Sequence, residues 1–407
     1  MSGANESGDG RLALLRQRQF RLLWAGQSTS AVGDALVILA LPFAVLQLTG
    51  SASAVGLVLA AYTVPLALFT LVGGVWADRL PRRRVMLAAD GVRAVVQAAI
   101  AGLLLTGVAT VWQLIALTAV YSAATAFFQP ALLGLVPEVV EDERLQPANA
   151  LLGLSRELAF VAGQPVGGAV VAGLGPGAAF AFDAGSFVVS AIALVPLRPA
   201  TSAAPQRAGF LVELRAGLGA IAGRTWLCVV MAWSWSHLLV VIAPVYVLGP
   251  VLAKESLGGA ASWGLITGAF SAGAVAGSAA AVWWRPARPL VSAALLQLPA
   301  AAGPALLAAT ASATLIGVAQ LAAGTAGGFF TAVYLTALQE RIPEELRSRV
   351  GSVHWLGSTL AIGCGYTVAG PAAAAVGMRT VFAAAAAWVV ASTTAILLVP
   401  AVRQVEA

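Results

Sequence analysis

Residues 54–84 read AVGLVLAAYTVPLALFTLVGGVWADRLPRRR, an uncharged and mostly apolar run followed by a short loop with four arginines. The apolar run is long enough to cross a bilayer as a helix, because about 20 residues span the hydrocarbon layer. Arginine-rich loops mark the cytoplasmic side of a membrane protein. This stretch therefore predicts a membrane span that ends on the cytoplasmic side.

The whole chain of 407 residues has the same character. It is 59% hydrophobic and only 10% charged, whereas a soluble chain has about 25% charged residues. Lipid offers no partner for open backbone groups, so each long apolar run must be a helix. The sequence predicts an all-α membrane protein with twelve transmembrane helices. These predicted spans, numbered 1 to 12, are 22–46, 54–77, 85–106, 110–133, 148–173, 177–196, 225–249, 261–284, 289–309, 312–337, 350–375 and 379–400.

The basic residues predict the orientation. With a cytoplasmic N-terminus, 19 of the 23 fall in cytoplasmic loops and tails, two inside spans, and only Lys254 and Arg379 outside. This bias predicts a multi-pass protein of the cytoplasmic membrane with both termini in the cytoplasm. It also accounts for the net charge of +6 as a determinant of orientation. We therefore expect the lipid bilayer, and no nucleic acid, as a partner.

The sequence repeats at an interval of 202 residues. Phe127–Phe128 match Phe329–Phe330 at this distance, and Glu138 matches Glu340. Because each half holds six spans, the halves cross the membrane in the same direction, as in transporters built from two six-helix bundles. The predicted division is an N-terminal bundle at 1–197, a cytoplasmic linker with an amphipathic helix at 198–224, and a C-terminal bundle at 225–407.

The scarce residues exclude several classes of function. The single lysine, Lys254, is followed by Glu255, so no GxxxxGK[ST] phosphate-binding loop exists. Two cysteines and two histidines, all in apolar runs, give neither a disulfide framework nor a metal cage, and we expect no cofactor. The polar residues in the spans are scattered over many helices. This scatter suits a transport pathway better than a membrane enzyme or a receptor, and we expect no enzyme activity.

Gly74-Val-Trp-Ala-Asp78-Arg79-Leu-Pro-Arg-Arg-Arg84 resembles the loop signature between spans 2 and 3 of the major facilitator superfamily. The segments Ser30–Asp34 and Phe182–Phe187 resemble its efflux branch, which contains enterobactin and macrolide exporters. The resemblance implies the major facilitator fold and a monomeric secondary active transporter. Such a protein exports small amphipathic compounds, drug-like or siderophore-like, by proton antiport with alternating access.

The resemblance has departures. Pro81 replaces the second glycine of the loop signature, and Trp76 replaces a leucine. Span 5 reads Gly163-Gln-Pro-Val-Gly-Gly168, with the proline displaced by one position from the pattern of family exporters. The displaced proline leaves an importer or uniporter of a small solute as the alternative function.

The loop signature supplies the predicted gate. Gly74 permits close packing of helix ends, and Asp78 can meet the positive N-terminus of a neighbouring helix. The resemblance implies that Asp78 latches the two bundles in one state, with Arg79 beside it. Arg79 is alternatively a simple anchor of topology. Asp90 and Arg93 are three residues apart on span 3, so we expect them to pair on one helix face as part of this network.

Asp34 is the predicted proton carrier. It lies about 12 residues into span 1, or ~18 Å deep at 1.5 Å per residue, which is near the middle of the bilayer. A carboxylate there costs roughly 2.5–3.5 kcal/mol to insert, so it needs a partner, water or a proton. The alternative is a structural acid that is hydrogen-bonded to Ser30 or to another helix.

Other polar residues in the spans mark the predicted substrate pathway. Trp233 and His237 are four residues apart and share one helix face, which either lines the pathway or packs as an interfacial aromatic and a core histidine. The resemblance places spans 1, 4, 7 and 10 around the pathway. Their further polar residues are Gln27, Tyr121, Gln129, Gln320 and Tyr334. The sequence does not assign roles to Arg156, Glu157 and Asp183.

Reporter fusions test the predicted topology. Fusions at Arg82, Arg207 and Arg347 are expected to report the cytoplasm, and a fusion at Lys254 the outside, because the arginine bias orients every span. An external signal at Arg207 would contradict the twelve-span arrangement, since it breaks the even number of spans in the first half.

Overall fold

The computed structural model describes residues 14–77, 80–198 and 210–405, and within these ranges the regular structure is entirely helical. The principal helices are α1 (Arg18–Thr49), α2 (Ala52–Ala77), α3 (Arg82–Leu105), α4 (Val111–Val139), α5 (Leu145–Leu174), α6 (Pro176–Leu194), α7 (Phe210–Ala222), α8 (Thr225–Leu257), α9 (Gly259–Trp283), α10 (Pro289–Ala308), α11 (Ala313–Arg341), α12 (Glu344–Val376) and α13 (Met378–Leu398).

Twelve helices in the described part of the chain are long and apolar enough to cross a membrane, and they are α1–α6 and α8–α13. This confirms the predicted all-α fold with twelve spans. Several helices run beyond the predicted apolar segments. For example, α4 continues to Val139 and α12 begins at Glu344. Hydropathy detects only the part that suits lipid, whereas the backbone stays helical into the polar sequence.

Spans 9 and 10 nearly fuse in the sequence, but the structure separates α10 from α11. Thr310 adopts a positive φ of 51°, which ends α10 with a left-handed residue. Ser312 then caps α11, because its side chain accepts a hydrogen bond from the backbone N–H of Leu315 at 3.4 Å.

The chain divides into two compact units. The first unit comprises Met1–Ala44 and Val64–Gln206, and the second comprises Val45–Thr63 and Arg207–Ala407. The predicted N-terminal bundle includes 45–63, so the two divisions differ in this segment. Its contacts explain the grouping, because the Lys254 ammonium donates a hydrogen bond to the Leu46 carbonyl at 2.9 Å. The domain boundaries based on chain position stay a prediction.

A helix is present in the predicted linker. It is α7, and residues 199–209 before it lie outside the described residues. Ala220 and Ile221 of α7 join an apolar core that includes Val353 of α12. The backbone at Gly217 lies so close to α12 that an added methyl group would meet the Arg349 carbonyl. This packing anchors α7 within the second unit.

Four glycines hold α9 and α11 together, and we call this contact the glycine crossing. Gly273 and Gly277 lie on α9, and Gly324 and Gly328 lie on α11. A methyl group at any of these positions would collide with a backbone carbonyl of the facing helix. Small residues four apart let two membrane helices approach closely. The glycine crossing therefore fixes the spacing of α9 and α11, which both line a cavity in the second unit.

Substitution of Gly328 by alanine is expected to lower the free energy of unfolding by about 1–3 kcal/mol, because the helices must separate to admit the methyl group. Thermal unfolding of the purified protein measures the loss. Gly317→Ala is the matched control on the same helix, since open space surrounds its Cα. Equal melting temperatures for the two variants would contradict the importance of the crossing.

Candidate functional site

A buried ion pair lies at the centre of the first unit. The Arg93 guanidinium donates a hydrogen bond to Asp90, and both side chains are almost completely buried. The guanidinium also lies 3.9 Å from the ring centre of Phe128 and 4.3 Å from that of Phe187. A buried charge needs such partners, because its loss of hydration is otherwise uncompensated. The pair forms as the three-residue spacing on α3 predicts.

A chain of hydrogen bonds extends this pair to two other helices. Ser190 of α6 donates its hydroxyl to Asp90 at 2.8 Å, and the Gln27 amide of α1 donates to the Ser190 oxygen at 3.4 Å. Gln27, predicted in the substrate pathway, is therefore connected to the ion pair through Ser190. The chain joins α1, α3 and α6.

Asp34 lies in the same region and is bonded across to α4. The Tyr121 hydroxyl donates to its carboxylate at 2.6 Å, and the Tyr121 ring centre is 5.9 Å from that of Phe187. The hydrogen bond to another helix is the contact that a structural acid would make. Asp34 nevertheless remains partly exposed, unlike Asp90, which has no exposed surface. The hydrogen bond from Tyr121 thus fixes the Asp34 carboxyl, while part of the residue remains exposed.

Asp183 is a third carboxyl group in this region, and it is completely buried. It accepts hydrogen bonds from the Gln97 amide at 2.6 Å and the Ser186 hydroxyl at 3.1 Å. A side chain at Gly33 would collide with it, so the backbone next to Asp34 packs directly on α6. Asp34 interacts electrostatically with both Asp90 and Asp183.

We call Asp34, Asp90, Asp183 and Arg93 the acidic cluster. Its three carboxyl groups share one guanidinium, so a fully ionised cluster has an excess negative charge. Hydrogen bonds from Tyr121, Ser190, Gln97 and Ser186 hold these carboxyl groups within the helices of the first unit.

The glycine-rich segment of α5 packs against this part of α1. A methyl group at Gly163 would meet the Ala35 side chain, and one at Gly167 would meet the Leu36 backbone. The segment that departs from the exporter pattern thus lies beside the residues that follow Asp34. It sets how closely α5 approaches α1 there.

The second unit contains a cavity of about 380 Å³ that is lined by α8, α9, α10, α11 and α12. Four residues predicted in the substrate pathway line it together, namely Trp233, His237, Gln320 and Tyr334. Both Trp233 and Tyr334 are buried, and the indole N–H of Trp233 donates to Ser392 of α13 at 3.2 Å. The predicted pathway residues of the second half therefore meet in one place.

A wider helical turn forms one side of the cavity. Leu238–Ile242 in α8 is π-helical, directly after His237 and just before Pro244. Proline lacks an N–H and its ring clashes with the carbonyl four residues earlier, so the helix accommodates Pro244 by widening. Such π turns occur frequently at functional sites. Leu238, Val241 and Ile242 of this turn line the cavity.

Several aromatic side chains at the cavity contact one another. The Phe330 ring centre lies 5.0 Å from Trp233 in an edge-to-face arrangement and 6.0 Å from Tyr334, with which it is stacked. His354 lies 5.0 Å from Tyr334, and Trp235 stacks on its ring. Neither His354 nor Phe330 was predicted as a site residue from the sequence. A lone histidine in an apolar run has no neighbouring signal, although Phe330 belongs to the repeated Phe-Phe pair.

The other predicted site residues have different positions. Gln129 is exposed on α4, and the unassigned Arg156 and Glu157 are exposed on α5. Gly74 lies within α2, while Asp78 and Arg79 lie outside the described residues, so their gating role stays a prediction. The described residues contain no group of three or more His, Cys, Asp or Glu side chains able to hold a metal ion.

Comparison with known proteins identifies relatives. Residues 9–407 match the family described as transmembrane secretion effector. The multidrug efflux pump Tap of Mycolicibacterium fortuitum is 28% identical over 197 residues, which cover 47% of this chain and 48% of Tap. Macrolide efflux protein A of Streptococcus pyogenes is 28% identical over 132 residues, 31% of each chain. This chain thus matches less than half the length of these curated relatives.

Solved structures share the fold at low sequence identity. The nucleoside transporter NupG is 14% identical with a TM-score of 0.74, and the match covers 93% of this chain and 98% of NupG. A bacterial homologue of the iron transporter ferroportin is 18% identical with a TM-score of 0.72, over 94% of this chain and 98% of the homologue. These likenesses support the fold alone.

The Asp90–Arg93 pair gives a test of the acidic cluster. Arg93→Met is expected to destabilise the protein by about 3–5 kcal/mol, because it leaves a buried carboxylate without its cation. Adding Asp90→Asn is expected to restore most of this loss. Thermal unfolding of the single and double variants measures both effects.

Arg144→Met is the matched control, since Arg144 pairs with Glu141 at 3.5 Å on an exposed surface and such pairs contribute little. Additive losses in the Arg93→Met, Asp90→Asn double variant would show that the two groups are not coupled.

Proposed function

The chain belongs to the transmembrane secretion effector family of the major facilitator superfamily, and we propose that it exports small amphipathic compounds in exchange for protons. Its family consists of transporters, and its twelve apolar helices make it a multi-pass membrane protein. Export, proton exchange and the class of compound are the proposed parts. We propose further that the protein works as a monomer with both termini in the cytoplasm.

The acidic cluster is the observation that supports proton exchange. Asp34 is its partly exposed member, and the Tyr121 hydroxyl orients its carboxylate. Asp90 and Asp183 are completely buried, so protons reach Asp34 more easily than either of them. We assign the coupling proton to Asp34, and the positioning of this carboxyl to Tyr121. Gln27 supports the cluster through Ser190.

Proton exchange supplies enough free energy for export. One charge that crosses 100 mV releases about 2.3 kcal/mol. At about 1.4 kcal/mol per factor of ten, this supports a concentration ratio of roughly 40-fold. Alternating access then requires that the proton and the substrate bind differently to the two conformations, since a ligand shifts an equilibrium only by its differential affinity.

The cavity of the second unit supports substrate binding by the residues predicted for the pathway. Trp233, His237, Gln320 and Tyr334 all line it. A pocket with a mostly apolar wall and a few polar groups is typical of a small-molecule site. We propose that Gly74, Asp78 and Arg79 gate access, as the loop signature implies, and that Asp90 and Arg93 belong to the same gating network.

An importer or a uniporter is the alternative. A uniporter needs no proton carrier, so its transport would not respond to a pH difference. The Gly163–Gly168 segment, whose displaced proline raised this alternative, packs on α1 next to Asp34. Its place beside the proposed proton site favours a role in coupling.

Asp34→Asn tests the proposed coupling. The amide keeps the size and hydrogen bonding of the side chain but exchanges no proton. We expect the variant to bind a compound selected from a retention panel of macrolides, catecholate siderophores and dyes, and to exchange it down a gradient. In proteoliposomes with an imposed pH difference of about one unit, and one proton exchanged per molecule, we expect its accumulation ratio to fall to about 1, against roughly 10 for the native protein.

Glu141→Gln is the matched control, because Glu141 is an exposed carboxyl in the short connection between α4 and α5. It should accumulate substrate normally. Uphill transport by Asp34→Asn at normal yield would remove Asp34 from the mechanism. If transport by the native protein does not depend on the pH difference, the uniporter is favoured.

A further inference from the structure

Three residues that line the cavity of the second unit each carry an unpartnered polar side-chain atom. The atoms are Nδ1 of His237, the hydroxyl oxygen of Tyr334 and Nδ1 of His354. Each is buried and has no hydrogen-bond partner among the described residues. Buried polar atoms in proteins are nearly always hydrogen-bonded, so three exceptions around one cavity indicate a ligand that supplies the partners.

Among the described residues, none with a fully charged side chain lines the cavity. Its described lining residues include neither Asp, Glu, Lys nor Arg. The polar groups that line it are uncharged amides and hydroxyls, such as Gln297, Gln320 and Tyr334, together with the two imidazoles. A ligand with a formal charge would lose its hydration there and gain no counter-ion.

The aromatic lining of the cavity favours a flat ligand. Phe330 and Tyr334 stack with their planes only 9° apart, and Trp233 meets Phe330 edge to face. Further rings in the lining belong to Tyr246, Trp263 and Phe270. A wall rich in aromatic rings suits an aromatic compound that lies against it.

We infer that the cavity binds an uncharged, flat aromatic compound that forms hydrogen bonds with the Tyr334 hydroxyl and with at least one of the two imidazoles. This inference rests on the proposed function, because the compound would be the exported substrate. It narrows the class from amphipathic compounds in general to those without a formal charge. Stacking supplies the contact area, and the three unpartnered atoms supply the selectivity.

A matched series of naphthalenes tests the inference. The four compounds are naphthalene-2-carboxamide, naphthalene-2-carboxylate, 2-naphthylmethylammonium and 2-methylnaphthalene. They share one ring system and differ in charge and hydrogen bonding. Isothermal titration calorimetry of the full chain in lipid nanodiscs, with empty nanodiscs subtracted, measures binding. We expect the carboxamide to bind at least about tenfold more tightly than either charged compound. The inference would be overturned if the ammonium or the carboxylate bound more tightly than the carboxamide. It would also be overturned if none of the four compounds showed saturable binding.

Tyr334→Phe removes one unpartnered hydroxyl and keeps the ring. We expect it to weaken carboxamide binding about fivefold to tenfold, the equivalent of one net hydrogen bond. Binding of 2-methylnaphthalene should not change, which also shows that the cavity remains folded. His354→Phe is expected to act in the same way. Unchanged carboxamide binding in both variants would overturn the assignment of the hydrogen bonds.

Thr393→Val is the matched control. Thr393 also has a buried hydroxyl without a partner among the described residues of the second unit, but it does not line the cavity. Its variant should bind the carboxamide normally, and an equal loss there would overturn the assignment to the cavity.

The binding assay needs no proton gradient, so its failure is distinct from failure of the proposed function. Proton-driven export of charged compounds that Tyr334→Phe does not affect would contradict the inference and support the proposed export. Carboxamide binding without any transport would support the inferred binding site and contradict the proposed export.

Discussion

The buried Arg93 guanidinium holds together the polar interior of the first unit. It neutralises Asp90 and lies over the rings of Phe128 and Phe187. Through Asp90 and Ser190 it also reaches Gln27, so a single charge connects helices α1, α3, α4 and α6. Breaking a buried pair leaves a charge that lipid cannot hydrate. Among the described residues, Asp34 and Asp183 form no ion pair, and hydrogen bonds from Tyr121 and Gln97 hold their carboxyls instead.

Among the described residues of the second unit, no charged side chain is fully buried. Backbone-to-backbone approach at the glycine crossing brings α9 and α11 together, and aromatic rings fill the space beside them. Lipid tails are as apolar as leucine, so close van der Waals contact replaces the hydrophobic effect as the source of helix association. Phe330 follows the crossing on α11 by two residues, which places its ring at the cavity. The cavity is therefore a consequence of how these helices pack.

Composition and charge placement were sufficient to predict the twelve spans, because hydropathy reports which residues tolerate lipid. The Asp90–Arg93 pair was also predictable, since both residues lie on one helix at a spacing of three. The bond from Tyr121 to Asp34 and the one from Gln97 to Asp183 were not, because they depend on how separate helices rotate against each other. His354 was missed for the same reason. Its role depends on the position of α12 beside Tyr334, which no local pattern encodes.

An uncharged ligand has a mechanistic consequence for the proposed exchange. A proton and a cationic compound can compete for one carboxylate, but a neutral compound cannot compete in this way. Coupling would then arise because the proton and the compound each favour a different conformation of the chain. The linkage is reciprocal, so protonation of Asp34 would change the affinity of the cavity by the same factor as ligand binding changes the affinity for the proton. An acidic cluster in one unit and an uncharged aromatic cavity in the other meet the chemical requirements of such indirect coupling.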